Sequence, residues 1–584
     1  MKQIWIYMKN YKKETVLAPL FKMLEACFEL CVPLVIALIT DKGILAGDKG
    51  YVAKMGGILF ILATVGLICS AVAQYFSARA AVGVATKLRH GLFKHIEGLS
   101  FTEIDSVGTS TLITRMTSDI NQVQSGVNMF LRLFLRSPFI VFGAMVMAFT
   151  IDVKAALIFV VTIIVLSIVV FAIILYTIPM YKKVQAALDK VLGITRENLT
   201  GARVIRAFGM EEDEIEEYNG RTEKLVSLQI GVGRISALMN PVTLVIINVA
   251  TIVLVWTGAI RVDAGALTQG DVIALVSYMS QILVELVKLA NLIVTLTKAV
   301  ACGNRIKTVF DVESSISDNK GDGNVNIDNI AMTDENSSEY AVEFIHAAHM
   351  YMGSLEESLT DMDFKIRKGE TIGIIGGTGS GKSTLVQMIP RFYDASSGEV
   401  RVNGKNVKSY SLEELRQKIA IVMQKAVLFK GTIRENLLWG KGDATDKEIY
   451  EALDIAQARE FVDGKEDGIE TMVEQGGRNL SGGQRQRLTI ARAVIRKPEI
   501  LILDDSSSAL DFATDSKLRA ALKNISDAGN TTVIIVSQRA SAIMHADNII
   551  VLDDGAISAM GTHDELMNTN EVYREIYNSQ NAMR

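Results

Sequence analysis

Residues 370–390 read ETIGIIGGTGSGKSTLVQMIP and determine the fold expected for the C-terminal half of the chain. A short apolar segment, typical of a buried β-strand, runs into the pattern GxxxxGK[ST], and a helical pattern follows. In this setting the glycines let backbone N–H groups wrap a phosphate, the lysine supplies positive charge, and the serine offers a hydroxyl to Mg²⁺. The stretch therefore predicts a phosphate-binding loop at 376–383.

Two further segments belong to the same chemistry. An apolar strand at 500–503 ends in Asp504, a position at which a carboxylate can hold Mg²⁺ through water. The segment LSGGQ stands shortly before it, at 480–484. We assign nucleotide binding to the loop and the start of its helix, at Gly376, Thr378, Gly379, Ser380, Gly381, Lys382, Ser383 and Thr384.

The N-terminal half has a different character. Charge is costly inside a bilayer, and a helix needs about 20 apolar residues to cross it. Three runs have no Asp, Glu, Lys or Arg, and three others are apolar but interrupted by charge. We therefore predict an all-α transmembrane domain over 1–304, with helices at about 16–40, 55–78, 129–151, 155–181, 235–260 and 268–300.

The connections between these helices suggest an orientation. The N-terminal segment is rich in lysine, so the positive-inside rule places both termini in the cytoplasm. The inside links at 79–128 and 182–234 are long and helical in pattern, so helices are expected to extend well into the cytoplasm. Solvated helices without a coupling role are the alternative.

A polar, acidic, Gly- and Asn-rich stretch separates the two halves and predicts a linker at 305–340. From 341 to 584, strands alternate with helical patterns, which predicts an α/β domain.

Composition excludes several classes of function. The chain is 49% hydrophobic, which is too apolar for a disordered protein. Lys+Arg 60 against Asp+Glu 65 leaves a net charge of −5, so nucleic acid is not expected as a partner. The four cysteines lack CxxC spacing and are interpreted as buried thiols.

With LSGGQ placed before Asp504, the chain resembles the ATP-binding cassette family. The order of a six-helix membrane domain followed by a cassette is similar to that of a half-size type IV exporter. The resemblance implies a translocating ATPase that uses ATP and Mg²⁺. It further implies that Tyr351 stacks on adenine and that Ser383 and Asp504 bind the Mg²⁺. Gln424 is expected to face this Mg²⁺ on one side and the membrane domain on the other.

In this family two cassettes close head to tail, so each ATP lies between the phosphate loop of one chain and the LSGGQ of the other. The residues assigned in this way to the partner's ATP are Ser481, Gly482, Gly483, Gln484 and Asp511. The segments 109–121 and 205–216 resemble the coupling segments that touch the cassettes.

Two residues depart from the family pattern. Hydrolytic cassettes place Glu after the strand-ending Asp, and here the residue is Asp505; the switch histidine is replaced by Gln538. The carboxylate is retracted by roughly 1.5 Å, and misplacement by about 1 Å can cost ~100-fold in rate. Glutamine can donate a hydrogen bond to a phosphate, but it cannot titrate.

The chain's own site therefore looks impaired, while its LSGGQ surface is intact. This predicts one half of a heterodimeric exporter whose partner carries the Glu and the His, with Asp505, Gln538 and Gln424 as the catalytic positions of the slower site. A homodimeric exporter with two slow sites is the alternative. An importer or a non-transport ATPase is disfavoured because the two domains are fused in this order. A ligand-gated sensor that does not transport stays open as a less favoured alternative, which ATP-driven uptake into vesicles would exclude.

Four charges lie at a similar depth of the predicted membrane helices, namely Glu29, Arg136, Glu285 and Lys288. The two glutamates could attract a cationic amphiphile, but structural pairing with Arg136 and Lys288 is the favoured interpretation. Amphiphilic drugs, lipids and peptides all remain compatible as cargo. We expect the protein in the cytoplasmic (inner) membrane, in contact with membrane lipid.

Overall fold

The computed structural model describes residues 6–316, 339–528 and 531–581. It divides into two compact units. The first comprises Met1–Glu97 and Thr109–Val312, and the second comprises Gly98–Gly108 and Glu313–Arg584. Most of the predicted linker, 317–338, lies outside the described residues.

Over its described residues the first unit contains helices joined by short turns and no β-strand. Helices are numbered in chain order, and α3 (Phe101–Val107) belongs to the second unit. The α-helices of the first unit are α1 (Lys12–Leu38), α2 (Lys49–Glu97), α4 (Thr109–Thr114), α5 (Ile120–Leu133), α6 (Arg136–Ile151), α7 (Val153–Phe208), α8 (Glu211–Ala237), α9 (Met239–Asp263) and α10 (Gln269–Phe310). Over the described residues these make six spans long and apolar enough to cross a membrane, at Ile6–Ile44, Lys49–Glu97, Thr109–Ile151, Val153–Phe208, Glu211–Asp263 and Gln269–Phe310.

The prediction of six apolar helices followed by an α/β domain is confirmed, but the helices are longer than the apolar runs. Helix α7 has 56 residues and α2 has 49. At about 1.5 Å per residue, each is more than twice as long as the roughly 30 Å of a bilayer core. A charge-free run marks only the segment of a helix that can lie in the lipid, because further helical turns with polar side chains continue the same helix beyond it. Helix α10 likewise runs to Phe310, past the predicted domain boundary at 304.

Interhelical packing in this unit joins α1, α6, α7, α9 and α10 around one core. The fully buried Tyr278 of α10 donates a hydrogen bond to the carbonyl of Leu30 in α1 over 2.6 Å. A Cβ on Gly126 would lie 2.2 Å from the Cβ of Ala299, so this pair requires glycine for the close approach of α5 and α10.

The second unit contains two main sheets. Its strands are β1 (Tyr340–His349), β2 (Leu359–Arg367), β3 (Thr371–Gly376), β4 (Ser397–Val402), β5 (Lys405–Asn406), β6 (Ile419–Val422), β7 (Gly431–Thr432), β8 (Met472–Val473), β9 (Ile500–Asp504), β10 (Thr532–Val536), β11 (Asn548–Asp553) and β12 (Ala556–Gly561). The larger sheet has the order β12-β11-β3-β10-β9-β6 and the smaller sheet the order β2-β1-β4-β5, while β7 pairs with β8.

Helices cover these sheets. They are α11 (Lys382–Met388), α12 (Leu412–Lys418), α13 (Ile433–Leu438), α14 (Asp446–Ile455), α15 (Arg459–Asp463), α16 (Gly482–Val494), α17 (Phe512–Asp527), α18 (Ala540–Ile543), α19 (His563–Thr569) and α20 (Glu571–Asn581). One hydrophobic core lies between the two sheets, and a second packs α14 and α16 against β6 and β9.

The parallel pairing of the larger sheet positions the candidate site. Strands β3, β10, β9 and β6 are consecutive neighbours and run parallel. Their carboxyl ends therefore meet at one edge, which is where open α/β sheets bind ligands. Residues far apart in sequence, following 376, 422, 504 and 536, are brought together there.

A short helix from the chain between α2 and α4 belongs to the second unit. Helix α3 (Phe101–Val107) begins with a capping box between Ser100 and Glu103 and ends at Gly108, whose φ of 81° favours glycine. The Phe101 ring lies 4.7 Å from the Phe392 ring.

This packing segment, 98–108, lies directly before the predicted coupling segment 109–121, which belongs to the first unit. The prediction of a coupling role for 109–121 is separate from this packing of α3 and stays a prediction. The second predicted segment, 205–216, surrounds the turn at Gly209, whose φ is 65°.

Candidate nucleotide site and charged membrane cluster

The phosphate loop joins β3 to α11. Gly379 and Gly381 have φ values of 89° and 85°, and a Cβ on Gly381 would lie 2.8 Å from the carbonyl oxygen of Ser358. Glycine is thus required both by the backbone conformation and by the close approach. The strand–loop–helix arrangement expected from the sequence is present.

The Lys382 side chain is buried and folds over its own loop. Its ammonium group donates to the carbonyl oxygen of Gly376 at 3.0 Å and to the hydroxyl of Ser380 at 3.2 Å. Burial lowers the pKa of Lys382, and the negative charges of Asp505 and Asp504 act in the opposite direction. The cation is therefore held between the loop and two carboxylates.

Ser383 and Asp504 are in direct contact. The Ser383 hydroxyl donates to Oδ1 of Asp504 over 3.0 Å. The other oxygen, Oδ2, is buried and has no hydrogen-bond partner among the described residues. Burial raises the pKa of Asp504, partly countered by this hydrogen bond. A buried carboxylate oxygen without a donor, beside a hydroxyl, is a donor set suited to Mg²⁺.

Asp505 follows with a backbone φ of 45°, in the left-handed region, and its N–H donates to the carbonyl of Val536 in β10 over 3.0 Å. Its Oδ2 accepts a 3.4 Å hydrogen bond from Nε2 of Gln424. Burial raises the pKa of Asp505, while Gln424, Arg539 and Lys382 act to lower it. The structure therefore brings together two of the three predicted catalytic side chains.

Gln538, the third, follows β10. The preceding Ser537 donates its N–H to the carbonyl of Ile374 in β3 over 3.0 Å, which ties this segment to the strand of the phosphate loop. The carbonyl of Gln538 accepts a 2.7 Å hydrogen bond from Nε2 of Gln580, near the C-terminus. Sequence reasoning missed Gln580, since no motif marks a glutamine 42 residues away.

Tyr351 lies just past β1, about one third exposed, and its hydroxyl is 2.8 Å from the Thr384 hydroxyl. Its ring meets those of His349 and Tyr393 edge-on, with centroids 4.8 Å and 5.4 Å away. Tyr351 therefore lies beside the phosphate loop rather than inside the sheet core, as a base-stacking residue should.

The LSGGQ segment forms the start of α16. Ser481 and Gln484 make a capping box, in which the Ser481 N–H donates to Oε1 of Gln484 over 3.0 Å and the Gln484 N–H donates to the Ser481 hydroxyl over 3.2 Å. Gly483 passes close to the chain, because a Cβ there would lie 3.0 Å from the carbonyl of Ala509.

Among the described residues, no hydrogen bond joins Ser481–Gln484 to the chain's own phosphate loop. Asp511 caps α17, accepting from the N–H and the hydroxyl of Thr514 at 2.9 and 2.8 Å, which lowers its pKa.

The four predicted membrane charges form one cluster in the first unit. Arg136 contacts Glu29 at 2.6 Å and Glu285 at 2.7 Å, and Lys288 contacts Glu285 at 2.8 Å. The Ser137 hydroxyl donates to Glu285 over 2.7 Å. Arg136 and Glu285 are buried. Helices α1, α6 and α10 are thereby joined by ion pairs.

Comparisons with known proteins agree with this architecture. The family model "ABC transporter transmembrane region" matches residues 15–286, and the model "ABC transporter" matches residues 359–508. A solved structure of a bacterial Atm1-family ABC exporter with ATP bound superimposes with a TM-score of 0.78 at 21% identity, covering 97% of this chain and 98% of that one. That likeness shows the fold.

Curated relatives align over nearly the full length. The uncharacterised ABC transporter ATP-binding protein YfiB of Bacillus subtilis is 34% identical, covering 99% of this chain and 98% of the relative. The putative multidrug export protein YgaD of Bacillus subtilis is 31% identical over 100% and 99%, and an ATP-dependent lipid A-core flippase of Vibrio vulnificus is 27% identical over 99% and 97%. With its six membrane-spanning helices, its phosphate loop and its LSGGQ helix, the chain belongs to the ABC transporters, as a multi-pass membrane protein whose cassette is a translocating ATPase.

Proposed function

We propose that this chain is one half of a dimeric ATP-driven exporter of amphiphilic or hydrophobic compounds in the cytoplasmic membrane. Both termini are assigned to the cytoplasm, and the partner is a different half-transporter. The chain's own phosphate site then retains ATP and hydrolyses it slowly. The observation that carries the proposal is the pairing of Asp505, a shortened carboxylate, with Gln424 at the edge of the sheet.

The geometry favours slow hydrolysis at this site. A general base must reach the water that attacks the phosphate, and the aspartate side chain ends about one bond length short of a glutamate. Oδ2 of Asp505 already accepts the Gln424 amide. Gln538 can orient a phosphate through its amide but cannot take up a proton near neutral pH, as imidazole can.

ATP binding has the groups it needs. Lys382 offers its charge to the terminal phosphates, the loop N–H groups wrap them, Thr384 lies at the same loop, and Tyr351 stacks on the base. Ser383, Asp504 and Gln424 are the residues that would hold Mg²⁺, and the unpartnered Oδ2 of Asp504 fits this role. When bound, Mg²⁺ neutralises charge on the phosphate oxygens.

The surface offered to a partner is complete. In the capping box, Ser481 and Gln484 satisfy each other and leave the first N–H groups of α16 for an anion from outside the chain. We assign Ser481, Gly482, Gly483, Gln484 and Asp511 to the partner's nucleotide, which is hydrolysed at the faster site. A relative named as a lipid A-core flippase and one named for multidrug export support an amphiphilic cargo.

The membrane charges are assigned a structural role. Glu29, Glu285, Arg136 and Lys288 satisfy one another. Glu25, 3.9 Å from Arg136 and paired with Lys22, extends the set to three acids and three bases. A site selecting a cationic amphiphile would keep an acid free for it. The cluster therefore holds α1, α6 and α10 together.

The test is the ATPase activity of the chain purified alone and together with candidate partner half-transporters. We expect the chain purified alone to hydrolyse ATP slowly. The double variant Asp505→Glu with Gln538→His, also purified alone, should hydrolyse ATP at least ~10-fold faster. In the complex, replacing the partner's glutamate with glutamine should abolish turnover, whereas Asp505→Asn should change it little. Rapid, substrate-stimulated turnover by the chain alone would instead establish a homodimeric exporter.

A further inference from the structure

The side-chain amide of Gln580 brackets the segment that carries Gln538. Its Nε2 donates to the carbonyl oxygen of Gln538 over 2.7 Å, and its Oε1 accepts the N–H of Ala540 over 2.9 Å. Both halves of one amide are thus used on the two sides of Arg539. Because donor and acceptor face the matching backbone groups, the orientation of the amide is set by the network.

These two backbone groups have no other hydrogen-bond partner among the described residues. Ala540 is the first residue of α18, and a first-turn N–H has no partner within its own helix. Gln580 therefore supplies the hydrogen-bond donor for the Gln538 carbonyl and the acceptor for the Ala540 N–H.

The helix that carries Gln580 is firmly anchored. Tyr573 of α20 is fully buried, its hydroxyl lies 2.7 Å from Nδ1 of His563, and Asn570 accepts the Tyr573 N–H at 2.8 Å. Tyr577 packs against a core that includes Ala540 and Ile543. A helix anchored through Tyr573 and Tyr577 thus presents Gln580, in its last turn, to a short connecting segment.

The bracketed segment borders the candidate site. Asp505, Gln538, Arg539 and Gln580 line one cavity of about 1230 Å³. Arg539 also holds the segment in place, since its guanidinium donates a hydrogen bond to the carbonyl of Ser508 over 3.3 Å. The side chain of a glutamine at 538 has one more rotatable bond than that of a histidine. The position of its amide group therefore depends more strongly on a fixed backbone.

We propose that Gln580 is a positioning residue, which fixes the backbone at Gln538 so that the Gln538 amide can reach the terminal phosphate of ATP. This deepens the proposed function and rests on the assignment of Gln538 to that site. The sensing of the third phosphate in this chain then depends on its C-terminal helix.

The test compares nucleotides that differ only beyond the second phosphate. The full chain in its dimeric transporter is photolabelled with 8-azido-ATP, and labelling of this chain is competed with AMP-PNP or with ADP. For Gln580→Ala we expect a ~3- to 10-fold weaker competition by AMP-PNP, with ADP unchanged. Ser579→Ala is the matched control, because among the described residues its hydroxyl bonds only to the Ile576 carbonyl, within the same helix.

A second comparison separates positioning from general stability. Gln538→Ala should give the same loss as Gln580→Ala, and the double variant should lose no more than either alone. Equal losses for AMP-PNP and ADP, or additive losses in the double variant, would overturn the proposal. If Gln538→Ala is affected and Gln580→Ala is not, only the positioning role fails; if neither is affected, the assignment of Gln538 fails with it.

Discussion

The hydroxyl of Tyr393 donates a hydrogen bond to the carboxylate of Asp105 over 3.0 Å, which joins the loop after α11 to helix α3. The Tyr393 ring also lies edge-on to Tyr351 at 5.4 Å. A continuous set of three side chains therefore connects α3 with the residue assigned to adenine. Both ends of this set lie in the second unit.

This contact should be measurable as a coupling free energy. Tyr393→Phe and Asp105→Ala each remove one partner of a hydrogen bond to a charged group, which contributes about 1.5–3 kcal/mol. We expect the two substitutions to be non-additive by about that amount in chemical unfolding of the full chain in detergent. Tyr410→Phe, the same change at a hydroxyl that donates to Val402, should combine additively with Asp105→Ala. Additivity in both pairs would contradict the coupling.

Loss of Arg136 should be severe. Arg136→Met breaks the buried ion pair with Glu285, which keeps only Lys288, and removes the cation beside the half-exposed Glu29; breaking a buried pair costs up to about 3–5 kcal/mol. Lys288→Met is the matched control, since Lys288 is 41% exposed and Glu285 retains Arg136. We expect a large drop in thermal stability for the first and little change for the second. A stable Arg136→Met protein with altered stimulation by cationic amphiphiles would indicate a substrate site instead.

Asp504→Asn should uncouple ATP binding from Mg²⁺. The amide keeps the shape but removes the charge, so the gain in ATP affinity produced by Mg²⁺ should fall by at least ~10-fold, with a far smaller change in EDTA. Because burial raises the pKa of Asp504, the wild-type gain should decline on acidification at a higher pH than an ordinary aspartate would give. Nucleotide titrations across pH check both results. An unchanged Mg²⁺ dependence in the variant would refute the assignment.

Alkaline stability should depend on Tyr573. Burial raises the pKa of Tyr573 to about 12, from an ordinary value near 10. The folded state therefore favours the neutral phenol, and its contribution is complete below pH ~10 and lost as the pH rises towards 12. The stability margin of wild type over Tyr573→Phe should shrink across this range in thermal unfolding. A margin independent of pH would argue against this origin.

The sequence predicted the loop and the strand-ending carboxylates of the candidate nucleotide site because each residue is marked by a local pattern. Lys382 and Ser383 stand in a glycine-rich loop, and Asp504 ends an apolar strand. Parallel pairing of β3, β10, β9 and β6 then brings these strand ends together. The pairing of Gln424 with Asp505 follows from that topology.

The remaining contacts could not be read from the sequence. Gln580 and Tyr393 act through single hydrogen bonds to residues far away in the chain, at Gln538 and Asp105, and no spacing announces such pairs. The packing of segment 98–108 was not predicted, because the Phe101–Phe392 ring contact and the Tyr393–Asp105 hydrogen bond follow no sequence motif. The charges at Arg136 and Glu285 were placed at one depth by counting and were expected to pair, and the structure gives the 2.7 Å contact between them.

The left-handed backbone at Asp505 has an implication for how this site could change. Aspartate and asparagine tolerate a positive φ better than longer side chains, so the conformation at 45° suits the residue that is present. A glutamate introduced alone at 505 would extend the carboxylate further, but it would have to adopt a positive φ that is less favourable for glutamate than for aspartate. If the site is slow as proposed, raising its rate would therefore require concerted substitutions, such as Asp505→Glu together with Gln538→His, and a single mutation would not reverse it.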